Sequence, residues 1–212
     1  MRRTIVITAG PTREKIDPVR FISNYSTGSF GYELAREAVR RGLKTVLISG
    51  PTAIDAPRGV KLIEAESALD MKRAVLKELK NAGYLIMAAA VSDWRAAAPA
   101  ARKMKKGAGQ RVLRLVENPD ILAAAGKLKK RAVVAGFALE TNDTEQNALG
   151  KLKKKRLDMI IANTLSSKTN PFGDNITDII LLDRRGGRYI YRRKSKRKLS
   201  KIILDKVLRF TI

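Results

Sequence analysis

Short apolar, β-branched runs alternate with longer stretches of helical periodicity along almost the whole chain, and this alternation restricts it to an α/β fold. The runs are Thr4–Ala9 (TIVITA), 45–49, 60–65, 84–91, 132–139 and 158–162. Most are apolar at nearly every position, the pattern of strands buried on both faces in a parallel sheet. Between them, residues 30–41 carry helical spacing and stop at Gly42, a natural helix end. Residues 67–79 are amphipathic behind Ser67, which suits an N-cap. Residues 119–130 read as a helix with Pro119 in its first turn, 144–156 as a basic helix and 194–210 as a terminal helix. Residues 177–183 and 188–191 flank a turn at 184–187, a hairpin signal, and 112–116 suggest a short strand. Residues 10–28, 94–110 and 163–176 read as loops, the second of them mobile. The expected architecture is a Rossmann-like, mostly parallel sheet with helices on both faces and a C-terminal antiparallel hairpin, in one domain over residues 1–212.

Composition narrows the chemistry. There is no cysteine and no histidine, so disulfides, thiolates and imidazole acid–base chemistry are excluded. Carboxylates, lysines, hydroxyls, the backbone and the substrate itself remain. The absence of cysteine makes a cytoplasmic location the simple expectation. No stretch approaches the roughly 18 apolar residues of a membrane span. Residues 1–9 run directly into Gly10-Pro11 with no small-residue cleavage site, as a core strand does and a signal peptide does not. Lysine and arginine number 44 against 20 acidic residues, a net charge of +24 that points to anionic partners. A nucleic acid is one such partner. Single-strand binders, however, interleave stacking aromatics with their cations, and aromatics are only 5% of this chain.

Ligands of such sheets bind beyond the carboxyl ends of the strands, so the loops there hold the candidate residues. After the first strand, the glycines Gly28 and Gly31 lie far from the strand end, and the second strand ends in Ser49-Gly50-Pro51. A dinucleotide fold puts its glycines directly after the first strand and an acidic residue at the end of the second, so nicotinamide binding is disfavoured. Ser26, Thr27 and Gly28 precede a helix, which leaves two readings: an ordinary hydroxyl cap, or a phosphate seat. After the fourth strand, the small residues 88–90 allow close approach to the backbone, and Asp93 is placed to accept hydrogen bonds from a sugar or base. Lys103, Lys105 and Lys106 are either a solvated charge run or a flap that closes over phosphates. Trp94 reads as a packing anchor for this loop. Further on, Asp120 and Ile121 open a helix, and Phe137 ends a strand. Lys151 and Lys155 share one helix face, where two ammonium groups repel, which leaves two readings: a polyphosphate lies between them, or the helix is simply a basic surface helix.

Several blocks together resemble the phosphopantothenoylcysteine synthetase family. The most specific is ITAGPTREKIDPVRFISNYSTGSFGYELA at 7–35. AAAVSDW (88–94), KMKK (103–106), ENPDIL (117–122), GFALET (136–141) and KLKKKRLDMIIAN (151–163) follow in the family's order. The resemblance implies a ligase of coenzyme A synthesis. A nucleoside triphosphate, CTP in bacterial members with ATP left open, activates the carboxylate of 4′-phosphopantothenate as an acyl-nucleotidylate, which cysteine then attacks. It implies catalytic roles for Asn24 and the flap lysine Lys103, substrate contacts at Arg20 and Ala89, and nucleotide contacts at Gly10, Asp93, Asp120, Ile121, Phe137, Lys151 and Lys155. It also implies Mg²⁺ arriving with the nucleotide, without assigned protein ligands, and a homodimer with sites near the subunit interface. Ser29-Phe30 stands where the family usually has Lys-Met, and Leu139 where it has Ala. The chain opens at the synthetase signature, so no flavin is expected, and a separate decarboxylase is a conceivable partner.

Overall fold

The computed structural model describes residues 4–107, 112–164 and 176–210. Its centre is an eight-stranded sheet in the order β12-β11-β10-β9-β6-β1-β4-β5. The strands are β1 (Thr4–Ala9), β4 (Lys44–Ser49), β5 (Val60–Glu64), β6 (Tyr84–Met87), β9 (Val133–Glu140), β10 (Met159–Thr164), β11 (Ile176–Asp183) and β12 (Arg188–Ser195). The six from β5 to β10 are parallel, and β11 and β12 close one edge antiparallel. The chain builds outward from β1 through β4 to β5, then returns to lay β6 on β1's other side. The switch point therefore falls between β1 and β6, where a crevice opens above the strand ends.

Strand periodicity divides the core in two. Ile5, Ile7 and Ala9 point to one face and pack with Leu34, Ala35 and Ala38 of α1 (Ser29–Arg40) and Leu199, Ile203 and Val207 of α5 (Lys196–Arg209). Val6 points to the other face, beneath Met71 and Val75 of α2 (Ala68–Leu79), Ile121 and Ala125 of α3 (Ile121–Leu128), and Leu152 of α4 (Thr144–Lys154). Helices thus cover both faces, as the alternation requires.

Five short-range expectations change. The long loop after β1 contains a hairpin, β2 (Arg13–Lys15) against β3 (Phe21–Ser23), and the segment after β6 contains a ribbon, β7 (Trp94–Ala96) against β8 (Leu115–Glu117). The strand expected over 84–91 leaves the ladder at Met87. Pro119 lies outside α3, because the Asp120 carboxylate accepts from the Ala123 amide at 2.9 Å and, as N-cap, starts the helix at Ile121, two residues later. The hairpin expected after 177 is longer, with β12 reaching Ser195, whose hydroxyl caps α5.

The α1–α5 contact is fastened by Glu37, which is buried. It accepts from Arg40 and Arg41, and Arg41 reaches Asp205 of α5 at 2.6 Å. Arg40 foremost lowers the Glu37 carboxyl from 4.5 to about 2, with Arg41 adding to it and burial opposing. A depressed carboxylate contributes stability above its unfolded value and loses it as pH falls through its folded one. Lowering the pH from 4.5 towards 2 is thus expected to remove on the order of 1–2 kcal/mol, with the exposed Arg40 end screened by solvent. Thermal unfolding would register this as a drop of about 2–8 °C, and Glu37→Gln should flatten that part of the pH profile.

Candidate active site at the sheet switch point

The residues after β1 and β6 hold each other by backbone bonds that continue the ladder irregularly. Ala90 donates to the Gly10 carbonyl at 2.9 Å, and Thr12 donates to the Ala90 carbonyl at 3.3 Å. Two buried threonines fix the path further: the Ala89 amide donates to the Thr8 hydroxyl at 3.1 Å and the Ser92 amide to the Thr12 hydroxyl at 3.0 Å. The small residues 88–90 are thereby pinned at the mouth of the crevice.

Asn24, just past β3, donates from its side-chain amide to the Ala90 carbonyl at 3.1 Å. A carbonyl only accepts, so this contact fixes which end of the amide faces it. The other N–H and the amide oxygen remain for a ligand. Behind Asn24, α1 begins at Gly28, whose φ of +81° excludes an ordinary side chain and which makes no side-chain cap. The hydroxyls considered at this helix start do accept from its backbone, Thr27 from the Ser29 amide at 3.4 Å and Ser26 from the Gly28 amide at 3.2 Å, although the N-cap position itself is Gly28. Gly31 lets α1 lie directly on β1: a Cβ there would fall 2.5 Å from the Ala9 Cβ.

The crevice has a volume of about 640 Å³. It brings together Asn24, Ala89, Asp93, Asp120, Ile121, Phe137, Lys151 and Lys155, eight of the eleven residues expected at a site. Phe137 packs edge-on against Phe30, with ring centres 4.9 Å apart, at the apolar end. Ile121 is almost wholly buried and forms part of the wall. The two lysines do not face each other unscreened. Lys151 pairs with Glu140 at 2.6 Å and Lys155 with Asp120 at 2.9 Å. Burial raises the Asp120 carboxyl, but the Ala123 amide and the Lys155 ammonium outweigh it, so Asp120 titrates below its ordinary value.

Three expected residues lie elsewhere. Gly10 is packed beneath the crevice: its φ is +75°, and a Cβ on Gly28 would come within 3.1 Å of its Cα. Arg20 is bound to Asp17, and its guanidinium also donates to the Met104 carbonyl at 2.9 Å. Lys103 is exposed on the segment that follows β7 and does not line the crevice. Trp94, expected to anchor that segment by packing, is 47% exposed on β7.

Two crevice residues had no clear sequence signal, Ser23 and Asn163, while Ser26 and Asn118 lay in loops already singled out. Asn118 ties the two loops together, donating to the Ser92 carbonyl at 2.9 Å and accepting from Arg95 at 3.2 Å. Asn163 is buried and donates to Thr177 at 3.3 Å, and among the described residues its side-chain oxygen has no partner. In sequence it directly follows the apolar run 158–162, the one hint available, and in the structure it lies within β10. A second hollow, about 570 Å³, lies by Tyr32, Thr52, Asp55, Glu64 and Glu66. It has no lysine or arginine in its wall and is ill suited to a polyphosphate.

Comparison with known proteins agrees with this fold. The model of the DNA/pantothenate metabolism flavoprotein C-terminal domain matches residues 1–210. The coenzyme A biosynthesis bifunctional protein CoaBC of Vibrio parahaemolyticus is 44% identical over 208 residues, covering 97% of this chain and 52% of that protein. The protein of the same name from Bacillus subtilis is 45% identical over 182 residues, covering 84% of this chain and 45% of that protein. This chain thus spans about half the length of the curated relatives it matches. The crystal structure of the C-terminal domain of a bifunctional protein CoaBC superposes with a TM-score of 0.83 at 35% identity, over 97% of this chain and 93% of that one. The chain belongs to the DNA/pantothenate metabolism flavoprotein C-terminal domain family.

Proposed function

We propose that this chain joins 4′-phosphopantothenate to cysteine in coenzyme A synthesis, using a nucleoside triphosphate. The observation that carries the reading is the crevice at the switch point, in which a half-free amide, a sugar-binding carboxylate and two lysines converge on one volume. Membership of the family supports it. In the first step a carboxylate oxygen of 4′-phosphopantothenate attacks the α-phosphorus, and pyrophosphate leaves. In the second the cysteine amine attacks the acyl carbon, the bond to the nucleotide phosphate breaks, and an amide, a nucleoside monophosphate and a proton result. The acyl-nucleotidylate is already activated, so a chain without cysteine or histidine loses nothing by lacking a nucleophile. What it has to supply is placement and charge stabilisation. No redox change occurs, so no flavin takes part.

The roles follow from position. Lys151 and Lys155 exchange Glu140 and Asp120 for triphosphate oxygens, so the resting crevice stays charge-balanced until the nucleotide arrives. Asp93 accepts from the ribose, Phe137 and Ile121 face the base, and Ala89 lets the acyl group approach the backbone. Lys103 swings in from its exposed segment to the departing pyrophosphate, and Asn24 orients the acyl oxygen and the incoming amine. Mg²⁺ is carried in by the triphosphate. Among the described residues no group of three carboxylates is gathered that would hold it alone. CTP is the preferred donor in this reading, and the working unit is a homodimer. The reading that the basic surface binds nucleic acid has only the charge in its favour.

The test is pyrophosphate release in the presence of 4′-phosphopantothenate, cysteine and Mg²⁺, with CTP and ATP compared. Release that depends on 4′-phosphopantothenate is the expected result, faster with CTP. Folded protein that releases none with either nucleotide would overturn the proposal.

A further inference from the structure

On the segment that carries Lys103, the next residue, Met104, is tied down, and an acidic side chain ties it. Asp17 lies in the turn between β2 and β3, its side chain wholly buried. One carboxylate oxygen accepts from the Val19 and Arg20 amides at 2.8 and 2.9 Å, which holds the turn. The other accepts from the Arg20 guanidinium, at 3.0 Å from its Nε, and from the Met104 amide at 3.2 Å. Arg20 then donates to the carbonyl of the same Met104 at 2.9 Å. Both backbone groups of Met104 are gripped by one ion pair. A second tie lies four residues earlier, where the Ala100 amide donates to the Ile16 carbonyl at 2.8 Å.

We infer that Asp17 is a positioning residue for the proposed ligase: with Arg20 it latches Met104 and so sets the place from which Lys103 reaches the nucleotide. The Met104 amide belongs to the peptide plane it shares with Lys103, whose Cα lies one virtual bond, about 3.8 Å, from the latched residue. A fixed plane restricts the arc that the lysine side chain can sweep, whereas an untethered segment spreads its ammonium over solvent. Arg20, expected from the resemblance to contact substrate, is in this structure committed to the latch. The carboxylate is suited to the task, since Arg20 above all, with the backbone amides of Val19, Met104 and Arg20 and against the effect of burial, holds it far below the ordinary carboxylate range.

The inference rests on the ligase reading and is tested so that the two can fail separately. Asp17→Asn keeps the shape and removes the charge, Met104→Pro removes the latched N–H while also fixing φ at 104 and restricting Lys103 before it, and Met104→Ala keeps that N–H as a control for loss of the side chain. Limited trypsin digestion of the folded protein reads the tether directly, through cleavage after Arg102, Lys105 or Lys106. Asp17→Asn and Met104→Pro are expected to be nicked several-fold faster than the parent, and Met104→Ala at the parental rate. The turnover number for pyrophosphate release should fall about tenfold or more in the first two, with the nucleotide KM within about twofold, because the nucleotide lysines are untouched. Should Asp17→Asn fail to fold, Met104→Pro decides alone, its change being confined to an exposed segment. Parental nicking in Met104→Pro would show that no latch exists. Faster nicking with unchanged turnover would show a latch with no part in catalysis. A parent that releases no pyrophosphate refutes the ligase reading itself, while the digestion still reports on the tether.

Discussion

Replacing Lys103 with Gln is expected to abolish formation of the acyl-nucleotidylate while leaving the fold unchanged. The fold should survive because the side chain is exposed and borders no core cluster. The chemistry should not, because departure of pyrophosphate adds negative charge to the leaving oxygens, and the ammonium is the one group assigned to arrive as that charge develops. Lys151 and Lys155 are already balanced by Glu140 and Asp120 before the nucleotide enters, and their attraction to phosphate is felt in the ground state as well. Uniform binding of that kind lowers KM without speeding the step. A glutamine donates a neutral hydrogen bond and no charge, so a loss of roughly 10²–10³-fold in pyrophosphate release is expected, the size found when one transition-state donor is removed. Thermal unfolding should stay within about 1 °C of the parent, since an exposed lysine away from packed features contributes little. Normal release by this variant would refute the role.

Asn24→Asp should divide the reaction at its middle. The Ala90 carbonyl sits 3.1 Å from the Asn24 amide nitrogen. Aspartate there loses the donor and sets two acceptors face to face, so the carboxylate turns away or carries the repulsion. In either case it cannot donate to the acyl oxygen, and its negative charge opposes the one that builds on that oxygen as cysteine attacks. The first step uses neither feature. Pyrophosphate should therefore be released once per site, with the acyl-nucleotidylate persisting and amide formation slower by roughly 10²-fold. Mass spectrometry of the quenched mixture follows both species. Amide formed at the parental rate would remove Asn24 from the mechanism.

The sheet and both helical layers were legible in the sequence because buried parallel strands carry their signal locally. In TIVITA every residue after Thr4 is buried, and no turn residue interrupts the run. The β2–β3 hairpin and β7 were not legible, and of the ribbon only β8 was glimpsed, as the short strand expected over 112–116. Each strand has three residues, too few for a period, and their pairing depends on partners as distant as Trp94 and Glu117. Lys151 and Lys155 stood out as cations, but their partners Glu140 and Asp120 are brought in by the ends of β9 and α3, so spacing suggested repulsion where the fold provides neutrality. Asp17 is the sharpest case. In sequence it is the first residue of an Asp-Pro turn, and only the folded chain brings the Met104 amide, 87 residues away, onto its carboxylate.

The most direct measurement of the central claim is a single turnover with cysteine withheld. Enzyme in excess is mixed with 4′-phosphopantothenate, Mg²⁺ and the nucleotide, quenched, and analysed by mass spectrometry for pyrophosphate and the acyl-nucleotidylate. Cysteine is then added. The account predicts pyrophosphate and the mixed anhydride in equal amounts before cysteine, and conversion to amide and nucleoside monophosphate afterwards. Release of inorganic phosphate with a nucleoside diphosphate, or no release until cysteine is present, would contradict it.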